Sequence, residues 1–307
     1  MLSTDWKRQS FGLFVPRLPT ILGSDISGVI TVSSNPTLPI GTRVLATTPA
    51  FTSADDSVSA FQEYTLAPIT TVTPIPDSIT HVQAATLASA TGVAALLLND
   101  VLGVKLPGWD SGVDDSANSA ILVWGGASSV GNLVIQLAVM AGYAVFATAS
   151  GRHHERLVEL GVKGVVDYRD ERVVARVLEM AGAEGKEIKY GVDVVSSEET
   201  VQQVGEVLKA AKGGRVVLGR TLPMGTVPEG IEGGVVGAES LWDGKKKFGK
   251  WLYTEALPVW LREGKVAPLE YKLFDGGLDG IQAGLDELKK GARGEKFVVE
   301  LQAGEGK

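Results

Sequence analysis

The feature that most constrains the fold is one run in which the strand-like AILVW (120–124) passes into GGASSVG and then into the apolar helical stretch NLVIQLAVMAG. A buried strand that turns on glycines and restarts as a helix aims backbone N–H groups and the positive helix end at one point, which suits a pyrophosphate. In this reading Gly126 makes the tight turn, Ser128 stands at the usual middle glycine, and Gly131 allows close packing of helix on strand. A mononucleotide phosphate loop would need Lys and Ser/Thr after the second glycine, and Asn132 and Leu133 stand there instead.

The chain after this turn alternates apolar runs with amphipathic ones. Strands are expected at 120–124, 144–148, 164–167, 190–195 and 215–218, with helices at about 130–141, 153–160, 171–181 and 199–211. Such alternation implies a parallel sheet with right-handed crossovers. Residues 230–238 offer a further strand, and 248–263 read as a helix with Trp251, Leu252, Ala256, Val259 and Trp260 as its apolar positions. The tail from Ala267 holds a strand, a helix ending near Lys290, and a last strand, EKFVVEL. The first 80 residues have a different texture, with short strand-like runs SGVITVSS, GTRVLATT and AFQEYTLAP set between Gly, Pro, Ser and Asn, as in an irregular β domain.

Composition narrows the function. A net charge of −7 gives no cationic field for nucleic acid, and Lys245, Lys246 and Lys247, the densest basic run, read as a solvated helix start. The absence of cysteine excludes disulfides, thiolate zinc sites and a cysteine nucleophile, and fits a reducing compartment. The N-terminal MLSTDWKRQS carries no apolar signal region, and the apolar stretch from Val82 to Leu98 is broken by Gln83, Thr86, Ser89, Thr91 and Gly92, so a core helix and a cytoplasmic protein off the membrane are expected.

The end of the second strand discriminates between cofactors. An Asp or Glu there would bind a free ribose 2′-hydroxyl, but this chain has Ser150, Gly151, Arg152, His153 and His154. Hydroxyl, guanidinium and imidazole donors suit a 2′-phosphate, and Tyr168 at the end of the third strand stands beside them, so NADPH is the expected cofactor. The tyrosine–lysine pair of short-chain dehydrogenases is missing, since none of the six tyrosines has lysine four residues on.

The order of segments resembles the medium-chain dehydrogenase/reductase superfamily over nearly the whole chain, through TDWK, LGSDISGVI, GTRVLA, AFQEY, ATLASATGVAALLL, VWGGASSVG, DVVS and GGLDGIQAGLDELKKGARGEKFVVEL. The WGGASSVG turn, DVVS and the closing segment look most like its enoyl-reductase-like group, which includes trans-acting reductases of fungal polyketide synthases. The resemblance implies an α/β fold: a Rossmann doubly wound parallel sheet at 84–266, plus a partly truncated GroES-like β-barrel domain at 1–83 and 267–307. In the family further strands precede the TDWK segment, which here begins at Thr4, so an incomplete barrel and slowed turnover are expected.

By motif position the catalytic zinc ligands of alcohol dehydrogenases in this superfamily fall on Leu2, Ser24 and Leu87, so a zinc-independent mechanism is implied. The same carry-over puts Thr4, Asp5 and Lys7 near the nicotinamide, Ser128, Ser129, Val130 and Gly131 on the pyrophosphate, and Ser150, His153 and Tyr168 on the 2′-phosphate. Leu218 and Gly219 would follow the fifth strand under the nicotinamide ribose, and Arg293 and Gly294 would close over the cofactor. Substrate would lie along Ala90, Thr91, Gly92, Val93 and Leu96 and along Val235, Val236, Gly237, Ala238 and Glu239. The implied reaction is hydride transfer from NADPH to an activated C=C bond of a small or carrier-bound enoyl compound, with a polyketide synthase as a possible partner. Quinone reduction on the same fold and a catalytically silent NADPH-binding protein are the alternatives. Thr4, Lys7, Tyr64 and water all remain open as the proton donor.

Overall fold

The computed structural model describes residues 1–15, 17–212 and 215–301. They form two compact units, Met1–Gly92 together with the chain from Glu239, and Val93–Ala238. Residues 84–92 and 239–266, expected with the parallel sheet, thus belong to the other unit.

In that first unit, helix Ser3–Phe11 ends on Gly12, whose φ of 66° is the left-handed conformation that closes a helix at least cost. Three antiparallel strands follow in the order β1 (Asp25–Val29), β2 (Arg43–Thr47) and β3 (Val72–Pro74), and Leu38, Val44, Ala46 and Val72 form a small core on them. AFQEYTLAP is not a strand. There the side chains take the backbone partners that a ladder would use: Gln62 Nε2 donates to the carbonyls of Asp56 (2.8 Å) and Ser59 (2.7 Å), and the Thr65 hydroxyl also donates to Ser59 (2.9 Å).

The second unit carries six strands, β4 (Ser119–Trp124), β5 (Ala144–Thr148), β6 (Gly164–Val166), β7 (Glu187–Asp193), β8 (Val217–Arg220) and β9 (Glu232–Val235). Their order is β6-β5-β4-β7-β8-β9 and every neighbouring pair is parallel, the Rossmann arrangement, with the chain reversing its direction of growth at β4. Alternate residues Ala120, Leu122 and Trp124 share a core with Val173, Val177 and Ala181 of helix Val173–Ala183 and with Val201, Val204 and Leu208 of helix Glu198–Lys209. The intervening Ile121 and Val123 are buried too, so β4 is covered on both faces, as its unbroken apolar run requires. Among the strand ends that differ from expectation, β7 stops at Asp193, where its carboxylate captures the N–H groups of Val195 and Ser196, β8 runs on to Arg220, and β9 spans only Glu232–Val235.

The chain then returns to the first unit. The expected helix over 248–263 is present as Lys246–Trp251 and Leu257–Arg262, joined by a widened turn at Leu252–Ala256 ahead of Pro258, which has no N–H to donate one turn back. Strand β10 (Tyr271–Phe274) pairs in parallel with β11 (Lys296–Val299) across helix Gly280–Leu288, so among the described residues this unit's strands make two small sheets rather than one closed barrel. The apolar stretch His81–Val101 is long enough to cross a membrane by length and composition, but 72% of its most apolar window is buried inside the protein, as a core helix would be.

Candidate functional site

The glycine turn at the end of β4 is tied to β5, since Gly125 N–H donates to the Thr148 hydroxyl (3.1 Å) and Gly126 N–H to the Thr148 carbonyl (2.9 Å). The tight turn itself is Gly125, at φ 84°, and not Gly126. Gly126 is needed for another reason: a Cβ on it would lie 2.9 Å from Ile135 Cδ1 and 3.0 Å from Ala147 Cβ. On Gly131 a Cβ would collide with the Gly125 carbonyl oxygen, so this glycine brings the helix against the turn, as expected. Two consecutive glycines in the sequence carried the signal for both roles.

Helix Ser129–Met140 begins here. Ser128 is its N-cap, its Oγ accepting from Gly131 N–H at 3.1 Å, so this hydroxyl serves the helix. The N–H groups of Ser129 and Val130 have no acceptor among the described residues and stand partly exposed at the helix N-terminus. This cradle of backbone donors, with glycines where a Cβ would fill it, fits a pyrophosphate and lies at the point where the strand order reverses.

At the end of β5, Ser150 is half-buried and Arg152 exposed, and Arg152 Nε donates to His153 Nε2 at 3.0 Å. His153 is 9% exposed, so it orients Arg152 from beneath rather than presenting that nitrogen outward. Tyr168 is exposed, with the Arg169 guanidinium 5.5 Å from its ring. Sequence reasoning missed Asp167. Its carboxylate accepts from Gly151 N–H (3.2 Å) and is forked by Arg169 Nε (2.9 Å) and Nη2 (2.6 Å), and these bonds hold it well below the usual carboxylate range.

Leu218 and Gly219 do not follow a strand. They are inside β8, Leu218 fully buried and Gly219 packed under Leu97 and Val101, because the strand runs two residues further than its sequence pattern suggests. The groups that leave the end of β8 are Thr221 and Leu222, whose N–H groups lie 3.3 and 3.4 Å from the Ser196 hydroxyl. Val235, the last residue of β9, is exposed; beyond it Val236 N–H donates to the Arg220 carbonyl (3.0 Å), and Gly237 and Ala238 are half-buried. Glu239, exposed, opens the other unit, so the structure divides this candidate substrate segment.

The first unit holds Thr4, Asp5 and Lys7 on helix Ser3–Phe11. Asp5 is fully buried, its Oδ2 accepting from Leu2 N–H at 2.7 Å in a helix-start bond, and burial is the chief influence raising its pKa. Thr4 and Lys7 are half-buried, with Lys7 Nζ 5.7 Å from the centre of the Trp6 ring. Of the helical substrate stretch, Ala90, Thr91 and Leu96 are core residues and the Thr91 hydroxyl donates to the Leu87 carbonyl (2.7 Å). Gly92 has no room for a Cβ beside the Tyr253 hydroxyl (2.5 Å) and Leu241 (2.6 Å), and Val93, the first residue of the other unit, keeps partial exposure. Arg293 and Gly294 form a tight turn, at φ 52° and 91°. At the positions of the zinc ligands, Leu87 is fully buried, Ser24 is 1% exposed with its hydroxyl unpartnered among the described residues, and Leu2 is half-buried.

A family model described as zinc-binding dehydrogenase matches residues 129–242. The trans-enoyl reductase himH of Aspergillus japonicus is 30% identical over an alignment covering 98% of this chain and 87% of its own. Among solved structures, the CurK enoyl reductase superposes with a TM-score of 0.71 at 18% identity, over 97% of this chain and 83% of that one. A mycobacterial protein solved in complex with NADPH gives 0.68 at 21% identity, over 96% and 86%.

Proposed function

Because the chain belongs to the enoyl-reductase-like branch of the medium-chain dehydrogenase/reductase superfamily, and so is an oxidoreductase, we propose that it reduces an activated C=C bond with NADPH. The observation that carries this reading is the cradle at Gly125–Gly131, where the Ser129 and Val130 N–H groups stand unclaimed at a helix N-terminus. Bound nicotinamide supplies the hydride, and the protein's share is to hold, orient and stabilise charge. The Ser129 and Val130 amides would take the pyrophosphate. Ser150, Arg152 and Tyr168 would take the 2′-phosphate, with Arg169 neutralising Asp167 beside them.

An electron-poor acceptor follows from the donor set. With leucine at two of the zinc-ligand positions, no metal ion there would polarise the acceptor, which favours one carrying its own conjugated carbonyl or thioester. On the likeness to the trans-enoyl reductase himH, a carrier-bound enoyl chain of a polyketide synthase is the partner and substrate proposed. The test is NADPH oxidation against a panel of enoyl thioesters, enones and quinones. Turnover of the enoyl compounds supports the reading, turnover of quinones alone replaces it with quinone reduction, and no turnover despite tight NADPH binding leaves a binding protein.

A further inference from the structure

The ends of β7 and β8 carry a hydrogen-bonded hub with no part in the function proposed so far. Asp193 is fully buried and both its oxygens are taken: Oδ1 accepts the N–H groups of Val195 and Ser196, each at 2.9 Å, and Oδ2 accepts the Thr200 hydroxyl at 2.6 Å. Ser196, also fully buried, adopts φ 58°, a left-handed conformation that is strained for a non-glycine residue. Its hydroxyl donates to the Asp193 carbonyl (2.9 Å) and faces the Thr221 and Leu222 N–H groups, while the Thr221 hydroxyl returns to the Val194 carbonyl (3.1 Å). Arg220 closes the second loop, its Nη1 donating to the carbonyls of Met224 (2.8 Å) and Gly225 (2.7 Å).

Glycine would sit at position 196 without strain, but it would lack the hydroxyl that joins the two loops. The strain is therefore kept for the joint. Both loops leave the C-terminal ends of adjacent parallel strands, the side on which such sheets bind ligands. The first also flanks the glycine turn, since Val194 Cγ2 is 2.8 Å from where a Gly125 Cβ would be. A dinucleotide with its pyrophosphate at the end of β4 and its adenosine over β5 would extend its other half over β7 and β8. Val195 on the first loop and Leu222 and Met224 on the second are 50, 37 and 57% exposed, so each loop leaves apolar surface open to a ligand.

We infer that Asp193 and Ser196 are positioning residues for the nicotinamide half of the cofactor, locking the turn 194–197 and the loop 221–225 into one piece on which the ring rests. The inference rests on the proposed cofactor. Ser196→Gly keeps the backbone conformation and removes the joint, whereas Asp193→Asn keeps one oxygen for the two N–H groups and misplaces a donor against Thr200. Affinities for NADPH and for 2′-phospho-ADP-ribose, which lacks the nicotinamide, are compared by titration, with the emission of bound NADPH as a direct report on the ring. In Ser196→Gly, 2′-phospho-ADP-ribose should bind as in the wild type, NADPH should bind roughly tenfold more weakly with its bound emission shifted, and single-turnover hydride transfer should fall on the order of a hundredfold. Asp193→Asn should fall between. Unchanged NADPH affinity and emission in Ser196→Gly overturns the inference, and so does an equal loss for both ligands in both variants, which marks a merely structural hub. If the wild type binds neither ligand, the proposed cofactor fails and takes this inference with it.

Discussion

Arg152 and Asp167 bring opposite charges to the rim where the second and third parallel strands end, and cofactor preference depends on which one the ligand meets. Arg169 forks onto both Asp167 oxygens, so the carboxylate is spoken for and Arg152 would dominate the approach of the proposed 2′-phosphate. Arg152→Ala is expected to weaken NADPH about tenfold and leave NADH unchanged, a loss on the order of 1.4 kcal/mol. Arg169→Ala should also narrow the preference, by freeing the Asp167 charge to repel the dianion, and Asp167→Asn should widen it. Titration of bound-cofactor fluorescence at fixed ionic strength reads all three, and an NADPH affinity that ignores Arg169→Ala would show that Asp167 does not face the ligand. Ser150 and Arg152 were legible because strand-end position is set by periodicity. The inward turn of His153 was not, because it depends on a side-chain bond to its neighbour, and Asp167 was passed over because its partner Arg169 lies two residues on, in a turn.

Elements were legible where the chain repeats a period and obscure where side chains capture the backbone. The helices and strands around β4 follow the apolar pattern within a few residues, but β7 and β8 end where Asp193 and Ser196 dictate, which no periodicity records. Two carboxylates, Asp25 with a buried side chain and Asp115 half-buried, show how elements are tied. Asp25 on β1 accepts from Lys296 Nζ on β11 (2.9 Å) and from Ser89 N–H (3.1 Å) and Oγ (2.9 Å), with both charged side chains 3% exposed. Lys296→Met should destabilise by about 3–5 kcal/mol because it strands the Asp25 charge, and Asp25→Asn in the same chain should recover part of that. Urea unfolding followed by tryptophan emission tests it, strict additivity of the two changes being the contrary result. In the other unit Asp115 accepts the hydroxyls of Tyr143, Tyr190 (2.9 Å) and Ser119 (2.8 Å). Burial opposes its charge, but these hydrogen bonds outweigh it and lower its pKa, while burial first and the Asp115 bond second push Tyr190 up to about 12. A depressed carboxyl stabilises the fold above its ordinary pKa of about 3.9 and loses that contribution as pH falls through the lower folded value. The stability gap between the wild type and Asp115→Asn should thus be constant near neutrality, close in acid, and narrow again above the ordinary tyrosine pKa of about 10, where the share of the Tyr190 shift that Asp115 supplies is lost; a gap that changes through neutral pH would contradict the assignment.

At the scale of the whole molecule, the chain combines the sheet of a family described by zinc binding with a donor set that suits no such metal. The matched segment, 129–242, lies largely in the parallel-sheet unit, whereas Leu2, Ser24 and Leu87 all lie in the other. Leu87 is a fully buried core residue whose carbonyl takes the Thr91 hydroxyl, so its side chain is committed to packing. Zinc needs about four N, O or S donors, and one serine hydroxyl among two leucines provides a single weak one. Two results follow for the purified protein. Chelators should leave its thermal midpoint and NADPH oxidation unchanged, since the described residues bring together no group of three or more His, Cys, Asp or Glu in which a metal could store folding free energy. The substrate range should also be one-sided: conjugated enones or enoyl thioesters, which spread the incoming negative charge into their own carbonyl, should be reduced, and simple alcohols, whose oxidation needs an alkoxide stabilised by a cation, should not be oxidised. Restoring the ligand set by Leu2→Cys, Ser24→His and Leu87→Cys should not create alcohol dehydrogenase activity unless the buried site accepts the metal, which metal analysis would reveal. One tightly held zinc per wild-type chain, lost together with activity on chelation, would refute this account and require ligands from elsewhere in the chain.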